Sequence, residues 1–256
     1  MIVDPIGEAS NAKRKLQALG RRIARCRLCP RLVRHREAAA ADPPRRYRGE
    51  PYWARPLQGF GDPHARIVLI GLAPAAHGGN RTGRMFTGDR SGDWLFRALH
   101  DAGFANQASS VGTGDGLVLR DAYITATLRC APPANKPTPI EMTRCQPFLL
   151  EELRLLQQIR VAVALGKIGW DAYLRARRAM GSGVPRPLPR FGHEATAVMP
   201  DGITLLGSFH PSQQNTFTGK LTRPMLQSVF DRARQIVGPE RDVQTPITGS
   251  TKPAIR

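Results

Sequence analysis

The sequence predicts an α/β protein: a three-layer α/β/α arrangement around a central, mostly parallel sheet. The short unbroken apolar run at 67–70 and the segment 160–165, RVAVAL, read as buried strands. Segments with helical spacing of apolar residues lie between and after them, so strand and helix alternate along the chain. The third observation is the stretch 66–94, RIVLIGLAPAAHGGNRTGRMFTGDRSGDW, which reads as strand, glycine-rich loop and helix start. In an open α/β sheet a ligand sits outside the carboxyl end of such a strand. A strand-to-helix connection normally takes only a few residues. One this long, carrying His77, Asn80, Arg81, Arg84, Phe86 and Asp89, reads as a site, with Ser91 as the expected cap of the next helix.

Taken in order, 8–25 is expected to be a helix opened by Ser10 or Asn11, with Leu16, Leu19 and Ile23 on one face and Lys13, Arg14, Arg21, Arg22 and Arg25 on the other. Cys26 and Cys29 follow, then a second basic helical piece with Arg31, Arg34 and Arg36. Residues 42–63, rich in Pro, Arg and aromatics, read as an irregular ordered loop, and 103–120, with four glycines, as a polar linker. The β-branched run 121–129 is the next strand. Thr138-Pro139-Ile140-Glu141 is a capping box with proline at the first helical position. A helix after Gly166, a hairpin around Asp201-Gly202 and a last helix over 224–237 complete the pattern. Residues 1–238 are expected to form one domain, and 239–256, poor in apolar residues, a disordered tail.

Composition narrows the function. A balance of 38 Lys+Arg against 20 Asp+Glu gives a net charge of +18, which points to a polyanion and first to nucleic acid. Membrane binding is disfavoured: no stretch approaches the roughly 20 apolar residues of a span, and no long basic amphipathic helix with bulky apolar anchors is visible. The N-terminus lacks the apolar core of a signal peptide, so a cytoplasmic protein with reduced thiols is expected.

Four cysteines are present, Cys26 and Cys29 as a CxxC pair and Cys130 and Cys145 far downstream. A CxxC turn supplies two sulfurs, and a strand end and a facing helix can supply two more. Zinc and an iron–sulfur cluster both accept four cysteine ligands, and spacing does not choose between them. Four unrelated buried thiols are the alternative.

Three pieces together, GLAPAAHGGNRTGRMFTGD (71–89), the four cysteines and HPSQQNTFTGKLT (210–222), closely resemble the family 5, or type b, uracil-DNA glycosylases. The likeness runs from about Cys26 to Thr222. It implies a monofunctional enzyme that flips uracil out of DNA and hydrolyses its N-glycosidic bond in base excision repair, acting as a monomer. Hypoxanthine and ethenocytosine are further bases the resemblance implies. It also implies one structural 4Fe-4S cluster on Cys26, Cys29, Cys130 and Cys145.

Excision needs a face for the flipped base, a donor for the leaving anion and a group that handles water. Phe86 is the expected face. His210 matches the superfamily's second-motif histidine, which stabilises the leaving group. Where other branches carry a polar residue after the first strand, this chain has Leu72-Ala73-Pro74. Ala73 polarises nothing, and family 5 is similar in this. Asp89 is therefore the candidate for water or for shielding charge at the sugar, or else only a helix cap. Asn135 is the candidate for reading the base edge, or else a turn former. The superfamily's base-reading asparagine has no equivalent in Ile124-Thr125-Ala126. Gly71, Ala73, Pro74, His77, Asn80, Ser212 and Asn215 are expected to line the substrate, and Phe217 either wedges into the duplex or packs on the core. A non-enzymatic nucleic-acid-binding protein on the same scaffold is the second reading, with Ala73 in its favour.

Overall fold

The computed structural model describes residues 5–239, with side chains from residue 11 onward. Helix α1 (Pro5–Ala24) starts earlier than the expected Ser10 or Asn11, because a proline in the first turn needs no hydrogen-bond acceptor. Helix α2 (Pro30–Ala41) begins directly after Cys29. Then come β1 (Phe60–Gly61), β2 (Ile67–Gly71), the single turn α3 (Gly79–Thr82), α4 (Arg90–Asp101) and β3 (Ala122–Ala126). The chain continues with α5 (Pro139–Leu155), β4 (Val161–Leu165), α6 (Lys167–Ala179), β5 (Thr196–Val198), β6 (Thr204–Ser208), α7 (Gln213–Phe217) and α8 (Arg223–Val237). The expected capping box at α5 is present, with Thr138 and Glu141 bonded reciprocally. The expected tail lies outside the described residues, apart from Pro239.

The sheet has six strands in the order β1-β3-β2-β4-β6-β5. The inner four are parallel, and β1 and β5 run antiparallel at the edges. Side chains alternate across a strand. Ile67 and Leu69 of β2 thus pack with Leu95, Phe96, Leu226 and Phe230 of α4 and α8. Val68 and Ile70 pack with Trp170 and Tyr173 of α6 on the opposite face, where α5 and α1 lie as well. The three expected layers are therefore observed. The helix after β2 goes to one face and the helix after β4 to the other, so a crevice opens between their carboxyl ends. Close packing there requires glycine: a Cβ on Gly169 would lie 2.4 Å from the Ile70 carbonyl oxygen.

One buried carboxylate ties the layers together. Glu152 of α5 accepts two bonds from Arg129, at 3.0 and 2.5 Å, and one from Thr125 Oγ1 at 2.5 Å. The backbone N–H of Gly59 donates at 3.1 Å and the Tyr123 hydroxyl at 3.4 Å. Replacing Glu152 by Ala should lower the free energy of unfolding by about 3–5 kcal/mol, because Arg129 is left charged, buried and unpaired. Urea denaturation checks this. Removing the exposed Arg22–Glu151 pair, whose arginine the sequence places on a free basic face, should cause no comparable loss.

Candidate active site

At the carboxyl ends of β2, β4 and β6 the backbone comes close enough to bring three segments together. Gly71 ends β2, and a Cβ there would lie 2.8 Å from the Phe86 ring, which rests on this backbone. Gly166 follows β4 with a φ of +96°, a conformation that favours glycine, and a Cβ at this position would meet the His210 Cβ at 3.5 Å. His210 follows β6. Its ring stacks against Phe86 with centroids 5.8 Å apart and planes 29° from parallel. Phe86 itself is buried, with a φ of +54°. A bulky residue rarely adopts that conformation. It is held because the Phe86 carbonyl packs against Gly92, where a Cβ would lie 1.8 Å away.

His210 is fixed through its own backbone. Its carbonyl accepts bonds from Asn215 Nδ2 and from the Ser212 N–H, each at 2.8 Å. Ser212 Oγ in turn caps α7 by accepting the Asn215 N–H at 3.3 Å. Ser212 and Asn215 are thus engaged in shaping the turn that presents the imidazole. Burial lowers the pKa of His210 from 6.5 to about 4, so the ring is neutral at ordinary pH.

Asp89, and not Ser91, caps α4, because its carboxylate accepts the Gly92 N–H at 3.1 Å. The same carboxylate presses on the Gly78 Cα, where a Cβ would lie 2.1 Å from Oδ2. Burial raises its pKa, and bonds from the Gly92 and Ser91 amides oppose that rise.

Most other polar side chains of the 71–89 loop are spent on holding its shape. Asn80 is buried, and its Nδ2 donates to the carbonyls of Arg36 at 3.1 Å and Ala76 at 3.2 Å. His77 Nδ1 bonds the Tyr52 hydroxyl at 2.9 Å, and its ring stacks on Tyr47. Arg81 bonds the carbonyls of His77 and Gly88 and pairs with Glu50. Arg84 bonds Thr87, Ser110 and Asp115. Burial opposes the charge on Asp115, yet Arg84 and three backbone amides hold its pKa at about 2 and pin the expected linker. Ala73 contributes no polar side chain, and Pro74 packs against Gly79. Asn135 is exposed, with a φ of +56°, on a short 3₁₀ turn. Phe217 is 66 % exposed, which excludes the core packing considered for it.

Cys26, Cys29, Cys130 and Cys145 line one small cavity, of about 20 Å³, together with Arg27, Arg36, Arg129 and Arg144. Arg36 Nη1 donates to the Cys130 sulfur at 3.0 Å. Burial pushes the Cys130 thiol up to about 11 and Cys145 to about 12, so neither is a nucleophile in this form. Among the described residues no group of three or more His, Cys, Asp or Glu is placed to hold a metal ion. The four sulfurs nevertheless share the lining of one cavity and are the donor type that an iron–sulfur cluster takes.

The sequence matches the uracil DNA glycosylase superfamily over residues 58–234. It is 51% identical over 219 residues to a type-5 uracil-DNA glycosylase of Mycobacterium tuberculosis, covering 85% of this chain and 80% of that one. It is 50% identical over 222 residues to the type-5 enzyme of Thermus thermophilus, covering 87% and 98%. A type-4 uracil-DNA glycosylase of Thermotoga maritima is 27% identical over 185 residues, covering 71% and 83%. The chain belongs to the uracil-DNA glycosylase superfamily, in its type-5 branch. Within this member of the superfamily, sequence reading misses Gly92 and Gly166, whose role is to admit a neighbour rather than to carry a group. No helix among the described residues is long and apolar enough to cross a membrane.

The depressed pKa of His210 has a thermodynamic signature. Between pH 6.5 and about 4 the unfolded chain binds a proton at this position that the folded chain refuses. This part of the stability is present above 6.5 and is lost as pH falls through that window. Replacing His210 by Asn should remove up to one proton from the slope of unfolding free energy against pH there. Denaturation at a series of pH values measures it.

Proposed function

We propose that the chain excises uracil from DNA by hydrolysing the N-glycosidic bond, with the base held at Phe86 and the leaving anion stabilised by neutral His210. The observation that carries this is the Phe86–His210 pair at the carboxyl ends of the sheet, in a chain of the type-5 branch. Breaking the bond between the base nitrogen and C1′ leaves both bonding electrons on the base; water supplies the hydroxyl to the sugar, and its proton ends on the departing base or in solvent. A neutral imidazole cannot act as a strong acid. It serves as a hydrogen-bond donor to the anion, and a buried donor of this kind is worth a factor of about 100 to 1,000 in rate.

Asp89 supplies negative charge near the sugar while it caps α4. Substitution separates the two roles, since Asn caps about as well as Asp but carries no charge. Base-edge reading is loose: Thr125 is committed to Glu152 and Ala126 has no polar group. That supports other deaminated or damaged bases, hypoxanthine and ethenocytosine among them, as additional substrates. Asn135 remains the candidate edge reader in the loop after β3, and exposed Phe217 the candidate wedge.

Single-turnover excision from a uracil-containing duplex tests the assignment. His210→Ala should be slower by about 100- to 1,000-fold, and Asp89→Asn by a smaller factor, with little change in stability. Wild-type rates for His210→Ala would overturn the mechanism. A wild-type rate for Asp89→Asn, with a slow Asp89→Ala, would reduce Asp89 to a cap. No cleavage by the wild-type protein would favour a DNA-binding protein without catalysis.

We also propose that Cys26, Cys29, Cys130 and Cys145 hold one structural 4Fe-4S cluster. The common cavity supports this, as does Arg36, whose guanidinium reaches the Cys130 sulfur and would offset thiolate charge. When bound, the group cross-links the α1–α2 junction to the loop after β3 and to α5. Protein purified without oxygen should be brown, with iron and acid-labile sulfide in equal amounts. One zinc per chain in colourless protein would contradict it.

A further inference from the structure

The segment before β1 carries a surface that the excision chemistry does not use. Its backbone is bonded to the motif loop by the Trp53 N–H to the Arg81 carbonyl at 2.9 Å and by the Ala54 N–H to the Asn80 carbonyl at 3.0 Å. Tyr52 bonds His77, and Glu50 pairs with Arg81. The segment therefore moves as one body with the loop that carries Phe86 and Asp89.

Two large aromatic side chains are exposed among the described residues, Phe217 and Trp53. The guanidinium of Arg90 lies 4.3 Å from the Phe217 ring centre. Trp53 is 41 % exposed, and the nearest guanidinium to its ring is that of Arg55, at 5.6 Å. The indole also rests on Gly83, where a Cβ would lie 3.4 Å from two ring atoms. Tyr47, by contrast, is already used, with Arg81 at 4.1 Å and Arg46 at 4.7 Å. On the same segment Arg45, Arg46 and Arg48, shortly before Trp53, and Arg55, just after it, are exposed, and among the described residues no ion pair engages them. An exposed indole seated on a rigid loop among unpaired arginines has the make-up of a single-strand stacking surface, ring for base and guanidinium for phosphate.

We infer that Trp53 is a stacking platform for an unpaired base of the DNA strand entering the site, with the arginines at 45, 46, 48 and 55 holding the phosphates on either side. The occupant rests on the reading of the chain as a DNA glycosylase, and the platform predicts a property that reading does not. The protein should distinguish a strand with bases from one without them, even where no lesion is present.

The test uses the full chain and two lesion-free strands of about 12 nucleotides, within the span such surfaces cover. One is oligothymidylate, and the other has the same phosphates with base-free tetrahydrofuran spacers. Wild-type protein should bind the base-bearing strand roughly tenfold more tightly, and Trp53→Ala should abolish the difference. Trp53→Phe should recover much of it, which a collapsed fold could not do. A double reversal, Arg45→Glu with Arg46→Glu, should weaken both strands alike and reduce the magnitude of the salt slope by roughly 0.7 for each phosphate the protein no longer neutralises. Equal wild-type affinity for the two strands, or an undiminished preference in Trp53→Ala, would overturn the platform. Uracil excision measured on the same preparations keeps the two readings apart. Excision without base preference defeats the platform alone, and base preference without excision defeats the glycosylase assignment alone.

Discussion

The arrangement depends on the buried Glu152 carboxylate and the five donors that surround it. Tyr123 and Thr125 come from β3, Arg129 from the segment just past it and Gly59 from the approach to β1, while Glu152 itself lies on α5. Separately buried, the guanidinium and the carboxylate would each be strongly unfavourable. Together, with the remaining lone pairs filled, they fix α5 against the sheet in one register. That matters beyond stability because Arg129 lines the thiol cavity beside Cys130, and Cys145 lies on α5. The bond that sets α5 on the sheet also sets two of the four sulfurs. The other two arrive with the α1–α2 junction, and Arg36 of α2 reaches Cys130 by its side chain and Asn80 by its carbonyl. Sheet, thiol cavity and motif loop are thereby joined through a few buried polar contacts.

The fold is legible because its signals are local. The runs at 67–70 and 160–165, the Asp201-Gly202 turn and the Thr138–Glu141 capping box each express backbone physics within a few residues, and each appears where expected. The errors fall where a local signal has a competitor. Ser91 is a good cap by type, yet Asp89 takes the place because Gly92 lets the first turn of α4 close against the Phe86 carbonyl. Ser10 and Asn11 suggest a late start for α1, but a proline suited to a first turn opens the helix before them.

The site is legible in its residues and much less in their roles. His77, Asn80, Arg81 and Arg84 are the side chains one would choose to meet a ligand, and each is turned inward to bond the loop or its neighbours. Each also has a partner 25 or more residues away, at Tyr52, Arg36, Glu50 or Ser110, and no window along the chain reveals such pairings. Phe86, expected from sequence as a face for the base, is also buried and stacked on His210. Gly166 carries no chemical signal at all, because its contribution is a backbone turn at a φ of +96° that brings the chain past β4 beside His210.

This inward use of polar groups suits the reaction proposed for the site. Cleavage of a glycosidic bond develops positive charge on the sugar, and a free guanidinium nearby would oppose it at short range. The chain carries a net +18 and needs that field to attract DNA. The two requirements conflict unless the cations nearest the reaction are neutralised. Arg81 is paired with Glu50 and Arg84 with Asp115, the latter a buried pair, while the unpaired Arg45, Arg46, Arg48 and Arg55 stand on the exposed segment outside the loop. Burial also keeps His210 neutral. On the proposed assignment the surface is strongly basic while the groups facing the sugar are an uncharged donor and a carboxylate, a separation of charge that would let one small domain both collect a polyanion and stabilise a cation.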